Sequence, residues 1–391
     1  MKRLLKAYKT EINPTNQQKQ KIHKTIGVCR FVYNFYITHN KEVYEKEKRF
    51  VSGMDFSKWL NNDFIPNNPG YKWIKDVGSK AVKQSIMNAE QAFKRFFKGQ
   101  SKIPCFKKKK NQDVKAYFPK NNKTDWAVER HRIKIPTLGF VQLKEKGYIP
   151  TNGKVKSGTF SYKAGRYYVS VLVEEDIKIL YNNTNDGLGI DLGIKDLAVV
   201  SNIEKPFKNI NKTKKVKKLE KKLKREQRKL SRKYESLKIR NKKEGGNATR
   251  QNIQKQVVTV QKLHNALTSI RDNYINQVVN EIVKTKPSYI TIEDLNVSGM
   301  MKNKHLARAI AQQKFYQFKT KLQSKCVLNG IELRIVDRFY PSSKMCSKCG
   351  AIDKTLNLSD RTYICKECGC VIDRDKNASI NLANAKTYKI A

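Results

Sequence analysis

Apolar positions fall into four patterns along the chain, and each predicts a different kind of element. Residues 1–12 (MKRLLKAYKTEI) read as a lone strand. Pro14-Thr15 opens a helix, with Thr15 and Gln18 at the spacing of a capping box. Ile22, Ile26, Cys29 and Tyr33 continue an apolar stripe at helical spacing. A second helix is predicted from Ser79 through Val82, Ile86, Ala89, Phe93 and Phe97, stopping at Gly99. Residues 14–100 therefore form a small helical unit, in which Tyr33, Phe35, Tyr36 and Trp59 read as core. After the basic linker 101–112 (SKIPCFKKKKNQ) the period becomes two, in Arg132 to Ile135, Phe140 to Leu143 and Tyr167 to Val173. Asn152-Gly153 and Ala164-Gly165 are the turn signals of an antiparallel sheet or small barrel, which the N-terminal strand joins.

From Gly187 onward the pattern is α/β. Strands at Leu188 to Asp191 and Leu197 to Val200 lead to two long helices, over 212–243 and 250–285. A buried strand at Tyr289 to Ile292 follows, then a helix over roughly 306–328, a strand at Ile331 to Val336, a cysteine module and a helix from about Asn377. In the first long helix Val216, Leu223, Leu230 and Leu237 recur every seven residues. Val257, Val260, Leu267, Ile270, Tyr274 and Val278 return along the second. That spacing predicts an antiparallel hairpin closed by Gly245-Gly246.

Charge changes the picture. The chain of 391 residues carries 82 Lys+Arg against 34 Asp+Glu, a formal net charge of +48. So one-sided an excess calls for a polyanion, and nucleic-acid phosphate is the common one. Residues 212–243 alone hold 17 Lys+Arg against three Glu, the composition of a phosphate-contacting face. The basic stretches lack the apolar opposite face of an interfacial helix, and no run of the ~18 apolar residues needed for a membrane span occurs. The start is basic without an apolar segment behind it, so no secretory signal is read. The expected place of action is the cytosol or nucleoid.

Five of the eight cysteines lie between Cys346 and Cys370. Cys346-x-x-Cys349 and Cys365-x-x-Cys368 are separated by 15 residues, and each pair is followed by Gly. Two such knuckles complete a tetrahedral Cys₄ zinc site, closed and structural. Cys370 is left over, more a spectator than a ligand.

Three acids stand out by context. Asp191 ends an apolar strand between glycines, Glu293 ends the strand Tyr289 to Ile292, and Asp375 lies at the start of a helix. An acid at the end of a buried strand is costly without a partner. Taken singly, each would pass for a capping or salt-bridged acid. Converging together, the three would hold two Mg²⁺ ions for phosphodiester hydrolysis, since oxygen ligands select hard cations.

The segments GIDLGIKDLAVVS, ITIEDLNVSGM and CSKCG…CKECGCVIDRDKNASINL resemble the split RuvC (RNase H-like) motifs of the transposon-encoded TnpB/OrfB family, with its inserted zinc ribbon. KAYKTEINPTNQQKQKIHKTIGVCRFVYN and QAFKRFFKG are similar as well, so the resemblance covers nearly the whole chain. Compact type V CRISPR effectors share the arrangement. The resemblance implies a prokaryotic RNA-guided DNA endonuclease with a guide RNA taken from the transposon end; the oligomeric state is open from sequence, a monomer on one RNA being the expectation. It would cut double-stranded target DNA beside a short motif. It implies a multidomain α/β fold with a β-barrel wedge domain (1–13 and 101–180) and a helical recognition lobe (14–100). The RuvC-like domain would be 185–345 and 371–391, and the zinc ribbon 346–370. Catalytic and Mg²⁺-binding roles carry over to Asp191, Glu293 and Asp375; the pattern Asp-x-Asn-Ala favours Asp375, with Asp373 the fallback. Lys80 and Gln84, four apart on one helix, are candidates for reading the target-adjacent motif, solvated helix residues being the alternative. Competing functions are a guide-independent structure-specific nuclease, a nucleic-acid-binding regulator and a compact CRISPR effector.

Overall fold

Strand β1 (Lys2–Asn13) runs into helix α1 (Asn16–Glu47) through the expected cap at Thr15. The Thr15 hydroxyl accepts from the Gln18 amide at 3.3 Å, and the Gln18 side chain accepts from the Thr15 amide at 2.9 Å, so two otherwise orphaned donors are satisfied. The computed structural model describes residues 2–120, 125–177, 184, 186–243, 250–357 and 360–391. The turn expected at Gly245-Gly246 and the expected boundaries at 180 and 185 lie outside them. The chain divides into two compact units, one covering residues 2–177 and the other starting at 178.

In the first unit α1 is followed by α2 (Gly53–Trp59), a π-helical turn (Leu60–Phe64), α3 (Ile65–Asn67), a 3-10 turn (Pro69–Asp76) and α4 (Ser79–Phe97). Gly99 stops α4 with a φ of 67°, a left-handed value that glycine adopts without strain. The strands β2 (Ala116–Pro119), β3 (Ala127–Val128), β4 (Arg132–Ile135), β5 (Gly139–Leu143), β6 (Lys154–Lys163) and β7 (Arg166–Ile177) join β1 in an antiparallel sheet. Its order is β2-β6-β7-β1-β5-β4-β3, so the N-terminal strand sits at the centre. The sheet rolls. Trp126, beside β3 at one end, lies on Gly158 of β6 near the other, where an added Cβ would fall 2.4 Å from the indole. The core inside the roll, with Ile133, Val141, Phe160 and Val171, takes in Ile22 and Cys29 of α1. The opposite stripe of α1 (Val28, Val32, Tyr36) packs on Phe56, Ile86 and Phe93 in a second, helical core. Tyr33 and Tyr36 are buried there, and the Tyr36 hydroxyl donates to the Val51 carbonyl at 2.8 Å.

The second unit is built on β8 (Gly187–Leu192), β9 (Asp196–Val200), β10 (Phe207–Lys208) and the helices α5 (Lys214–Lys243) and α6 (Gln251–Lys284). Next come β11 (Tyr289–Glu293), α7 (Val297–Met300), α8 (Ala307–Gln313), α9 (Phe315–Asn329) and β12 (Glu332–Val336). The ribbon β13 (Thr362–Ile364) and β14 (Val371–Asp373), helix α10 (Arg374–Ala383) and β15 (Lys389–Ile390) complete it. The sheet order is β10-β9-β8-β11-β12-β15, with β8, β11 and β12 parallel. The fold is multidomain α/β.

The two long helices are antiparallel, since Lys233 meets Asn252, Gln227 meets His264 and Glu220 meets Arg271. Of the heptad positions on α5, Val216 and Leu237 are buried, whereas Leu223 and Leu230 are only half-buried. Two expectations need correction. The helix over 306–328 is broken at Lys314, whose backbone turns left-handed (φ 56°) and whose ammonium pairs with Asp272 of α6. The last helix begins three residues before Asn377, because the Asp373 side chain caps it by accepting from the amides of Asp375 and Lys376 at 3.0 and 3.1 Å.

Candidate active site and zinc ribbon

β8 presents two different faces. Leu188 and Ile190 join the core made with Val278 and Ile282 of α6 and Phe318 and Leu322 of α9. The alternate residues turn toward α10, and one of them must be glycine. A Cβ on Gly189 would lie 1.9 Å from the Ser379 carbonyl oxygen of α10. By the same alternation Asp191 emerges on the α10 side, at the carboxyl end of the strand. Ile190 pairs with Ile292 of parallel β11, so Glu293, the next residue, stands beside Asp191 one strand spacing (about 4.8 Å) away. Carboxyl ends of parallel strands are where open α/β sheets bind ligands.

The electrostatics register this crowding. Burial first, then the charges of Glu293 and Asp375 and more weakly Asp373, push Asp191 up to about 8, against the opposing pull of Arg374. Burial also raises Glu293, while a hydrogen bond from the Ser342 hydroxyl favours its charged form. Asp375, in the first turn of α10, pairs with Arg374 at 3.2 Å. Asp294, next to Glu293, does something else. Lys319 and Arg338 both reach it at 3.2 Å and hold its carboxyl below the usual range, as in an ordinary structural ion pair.

Helix α10 is fastened at several points. The Lys376 ammonium donates to the carbonyls of Val200, Ser201 and Ile203 at 3.1, 2.8 and 3.0 Å, pinning the helix start to the end of β9. Asn377 and Asn381 donate to carbonyls of the loop before the first cysteine pair. Sequence reasoning did not single out Ser342, Lys376, Asn377 or Asn381. The one available signal was a pair of asparagines four apart, too polar for the buried face of a helix unless each is fully hydrogen-bonded.

Cys346, Cys349, Cys365 and Cys368 bring their sulfurs within 4.8 Å of one another. Cys346 and Cys368 are 3.6 Å apart, Cys349 and Cys365 3.5 Å, against about 3.8 Å between sulfurs around a tetrahedral zinc. Gly350 and Gly369 take φ of 81° and 68°, and their amides donate back to the carbonyls of Cys346 and Cys365 at 2.9 and 3.0 Å. The cluster fits a structural zinc site. Cys370 stands outside the four-sulfur group. Among the described residues the thiols alone are gathered this tightly; the carboxylates share one end of the sheet but are not drawn as close.

In the first unit Lys80 pairs with Asp125 at 2.7 Å and lines a groove of about 530 Å³ with Ser57, Asn61, Lys75 and Lys83. Gln84, one turn along α4, donates to Asn88 at 3.0 Å.

Comparison with known proteins agrees over the chain's length. It is 30% identical over 98% of its residues to the Escherichia coli protein named "Putative RNA-guided DNA endonuclease InsQ", covering 93% of that protein. The chain belongs to the TnpB/OrfB family. A Streptomyces pristinaespiralis protein named "Putative RNA-guided DNA endonuclease" is 29% identical over 98% of the chain and 90% of its own length. Family profiles described as "Probable transposase" and "Cas12f1-like, TNB domain" match residues 169–304 and 315–382. A third, "Helix-turn-helix domain", matches residues 1–49, where this TnpB/OrfB chain has one strand and one long helix. Its fold is also that of the Cas12f1 chain in a cryo-EM structure of a Cas12f1–sgRNA–target DNA complex. The TM-score is 0.59 at 13% identity, covering 99% of this chain and 100% of that one. Among the described residues no helix is long and apolar enough to cross a membrane.

Proposed function

We propose that this protein is an RNA-guided DNA endonuclease of an insertion-sequence transposon, and that Asp191, Glu293 and Asp375 are its catalytic carboxylates. One observation carries the reading: Asp191 and Glu293 stand in register at the ends of neighbouring parallel strands, under the helix that bears Asp375. Carboxylates crowded until one of them resists ionisation suit a divalent cation, and an all-oxygen donor set suits Mg²⁺. When bound, a pair of Mg²⁺ ions would supply an activated water and charge stabilisation for the leaving oxygen. The chain's own share is to hold the acids in place: Gly189 admits α10 to the sheet, and Lys376 fixes the start of that helix. Asp373 caps the helix through one of its oxygens, which supports Asp375 as the third acid.

The split second unit is read as the RNase H-like nuclease domain with its zinc ribbon. In the first unit the rolled sheet is read as the wedge and residues 14–100 as the recognition lobe. Partners are a guide RNA and double-stranded target DNA, with the basic face of α5 meeting phosphate. The net charge of +48 supports such a division, because base pairing reads sequence and the protein needs mainly backbone contacts. Lys80 and Gln84 are proposed to read the target-adjacent motif. Unchanged motif preference in a Lys80→Ala, Gln84→Ala double variant would dispose of that assignment.

The test is to express the protein with its native flanking DNA, purify it in high salt and sequence the RNA that accompanies it. A discrete RNA from the end of its own locus, ending in variable sequence and supporting matched DNA cleavage, is expected. Cleavage without any RNA would leave a guide-independent nuclease, and a repeat-bearing RNA would make the protein a CRISPR effector.

A further inference from the structure

Ser342 lies in the short segment that joins β12 to the first zinc knuckle, and it is only 4% exposed. Its hydroxyl donates to Glu293 Oε1. Its own position is set from the other side. Asn381 Nδ2 donates to the carbonyl of Ser342 at 2.8 Å and to that of Met345 at 2.6 Å. Asn377 Nδ2 donates to the Met345 carbonyl at 2.7 Å, while its Oδ1 accepts from the amide of Ser347, inside the knuckle, at 2.9 Å. Both asparagines are buried, and both belong to α10, the helix whose first turn carries Asp375. The Tyr340 hydroxyl closes the loop by donating to the Asn381 carbonyl at 3.1 Å.

The connections run in one continuous chain of bonds: zinc knuckle, Ser347 and Met345, Asn377 and Asn381, Ser342, Glu293. We propose that Ser342 is a positioning residue for Glu293, and that docking of the zinc knuckle on α10 sets how tightly the carboxylate site binds a divalent cation. The inference rests on the carboxylate reading above. Its physical basis is that a flexible glutamate ligates well only when its free oxygen is held; removing such an outer-shell partner typically costs about 10–100-fold in metal affinity. The closed cysteine site thereby gains a role beyond local stability: it anchors the loop that aims an acid at the reaction centre.

Mn²⁺ serves as the probe, titrated into the zinc-loaded full-length chain and followed by the electron paramagnetic resonance signal of the free ion. Ser342→Ala is expected to retain its zinc and a cooperative melt at a somewhat lower temperature in the absence of Mn²⁺, yet bind Mn²⁺ about 10–100-fold more weakly than the parent protein. Ser342→Thr, which keeps the hydroxyl, is expected to restore most of that loss. Asn381→Ser, which releases the Ser342 carbonyl, is expected to weaken Mn²⁺ binding while Glu293 and Ser342 are both intact. Parent-like Mn²⁺ affinity in Ser342→Ala and Asn381→Ser, or a threonine variant as weak as the alanine one, would overturn the proposal. Asp191→Ala separates the two levels. If the parent protein shows no Mn²⁺ binding that depends on Asp191, the carboxylate reading itself falls; if it does and the Ser342 series is flat, only the positioning role falls.

Discussion

Asp191 and Glu293 are neighbours across two parallel strands, each one residue beyond a paired isoleucine, Ile190 or Ile292. Such a register leaves two acids side by side on one face, and Asp191 bears the cost. Asp191→Asn removes one charge from that cluster without changing the side chain's shape. DNA cleavage is expected to fall by at least about 10²-fold, the scale of losing one essential charge-stabilising group. In Mg²⁺-free buffer at pH 8 the variant is expected to melt higher than the parent protein. Parallel cleavage and thermal-melt measurements check both.

The same crowding makes stability depend on pH. Asp191 is raised from an ordinary 3.8 to about 8 in the folded chain, so between those values the folded state holds a proton that the unfolded state has released. Its contribution to stability is therefore full at acid pH and is lost as pH rises toward 8. Saturating Mg²⁺ should flatten or reverse that slope, because a bound cation favours the ionised acids. Melting temperatures from pH 5 to 9, with and without Mg²⁺ and with no chelator present to strip zinc, read the sign directly.

Gly189→Ala forces a methyl group into the Ser379 carbonyl of α10. The helix would have to lift from the sheet, at a cost of about 1–3 kcal/mol or more. A lower urea midpoint with unchanged slope is expected, together with loss of cleavage, since Asp375 rides on the displaced helix.

Zinc content should distinguish the fifth cysteine from the other four. Cys368→Ser is expected to lose the metal, whereas Cys370→Ser is expected to keep one zinc per chain, because the Cys370 thiol stands outside the four-sulfur cluster. Elemental analysis of purified protein decides it.

On α5, Lys217, Lys221, Lys224 and Arg228 are exposed. Changing all four to Gln should weaken guide RNA binding and lower the slope of log affinity against log salt by about 0.7–0.9 for each phosphate contact removed. Filter binding over a range of salt concentrations measures the slope.

Much of the architecture could be read from residue spacing. Thr15 with Gln18, the heptads of α5, the Cys pairs and the acids at the carboxyl ends of β8 and β11 are all signals that a short window of sequence displays. What escaped depends on distant partners. β6 lacks a clean alternation because a bulge at Lys156 shifts its register, and Gly158 replaces an apolar residue to make room for Trp126. The break at Lys314 has no glycine or proline to announce it; the ion pair with Asp272 of α6 accompanies a turn that local propensity does not ask for. Ser342 looks like any loop serine until the fold brings Glu293 to it. Asp373 and Asp375 were separable from sequence only by family pattern, whereas the cap hydrogen bonds give Asp373 an occupation of its own.

The order in which the chain is made acquires meaning from α10. Asp191 and Glu293 leave the ribosome well before the helix that covers Gly189 and carries Asp375. Until α10 has been made, nothing of that helix can cover Gly189, and Ser342 lacks the Asn381 amide that holds its carbonyl. On the proposed reading, the three carboxylates can come together only after the cysteine knuckles have emerged, so the site would be assembled last.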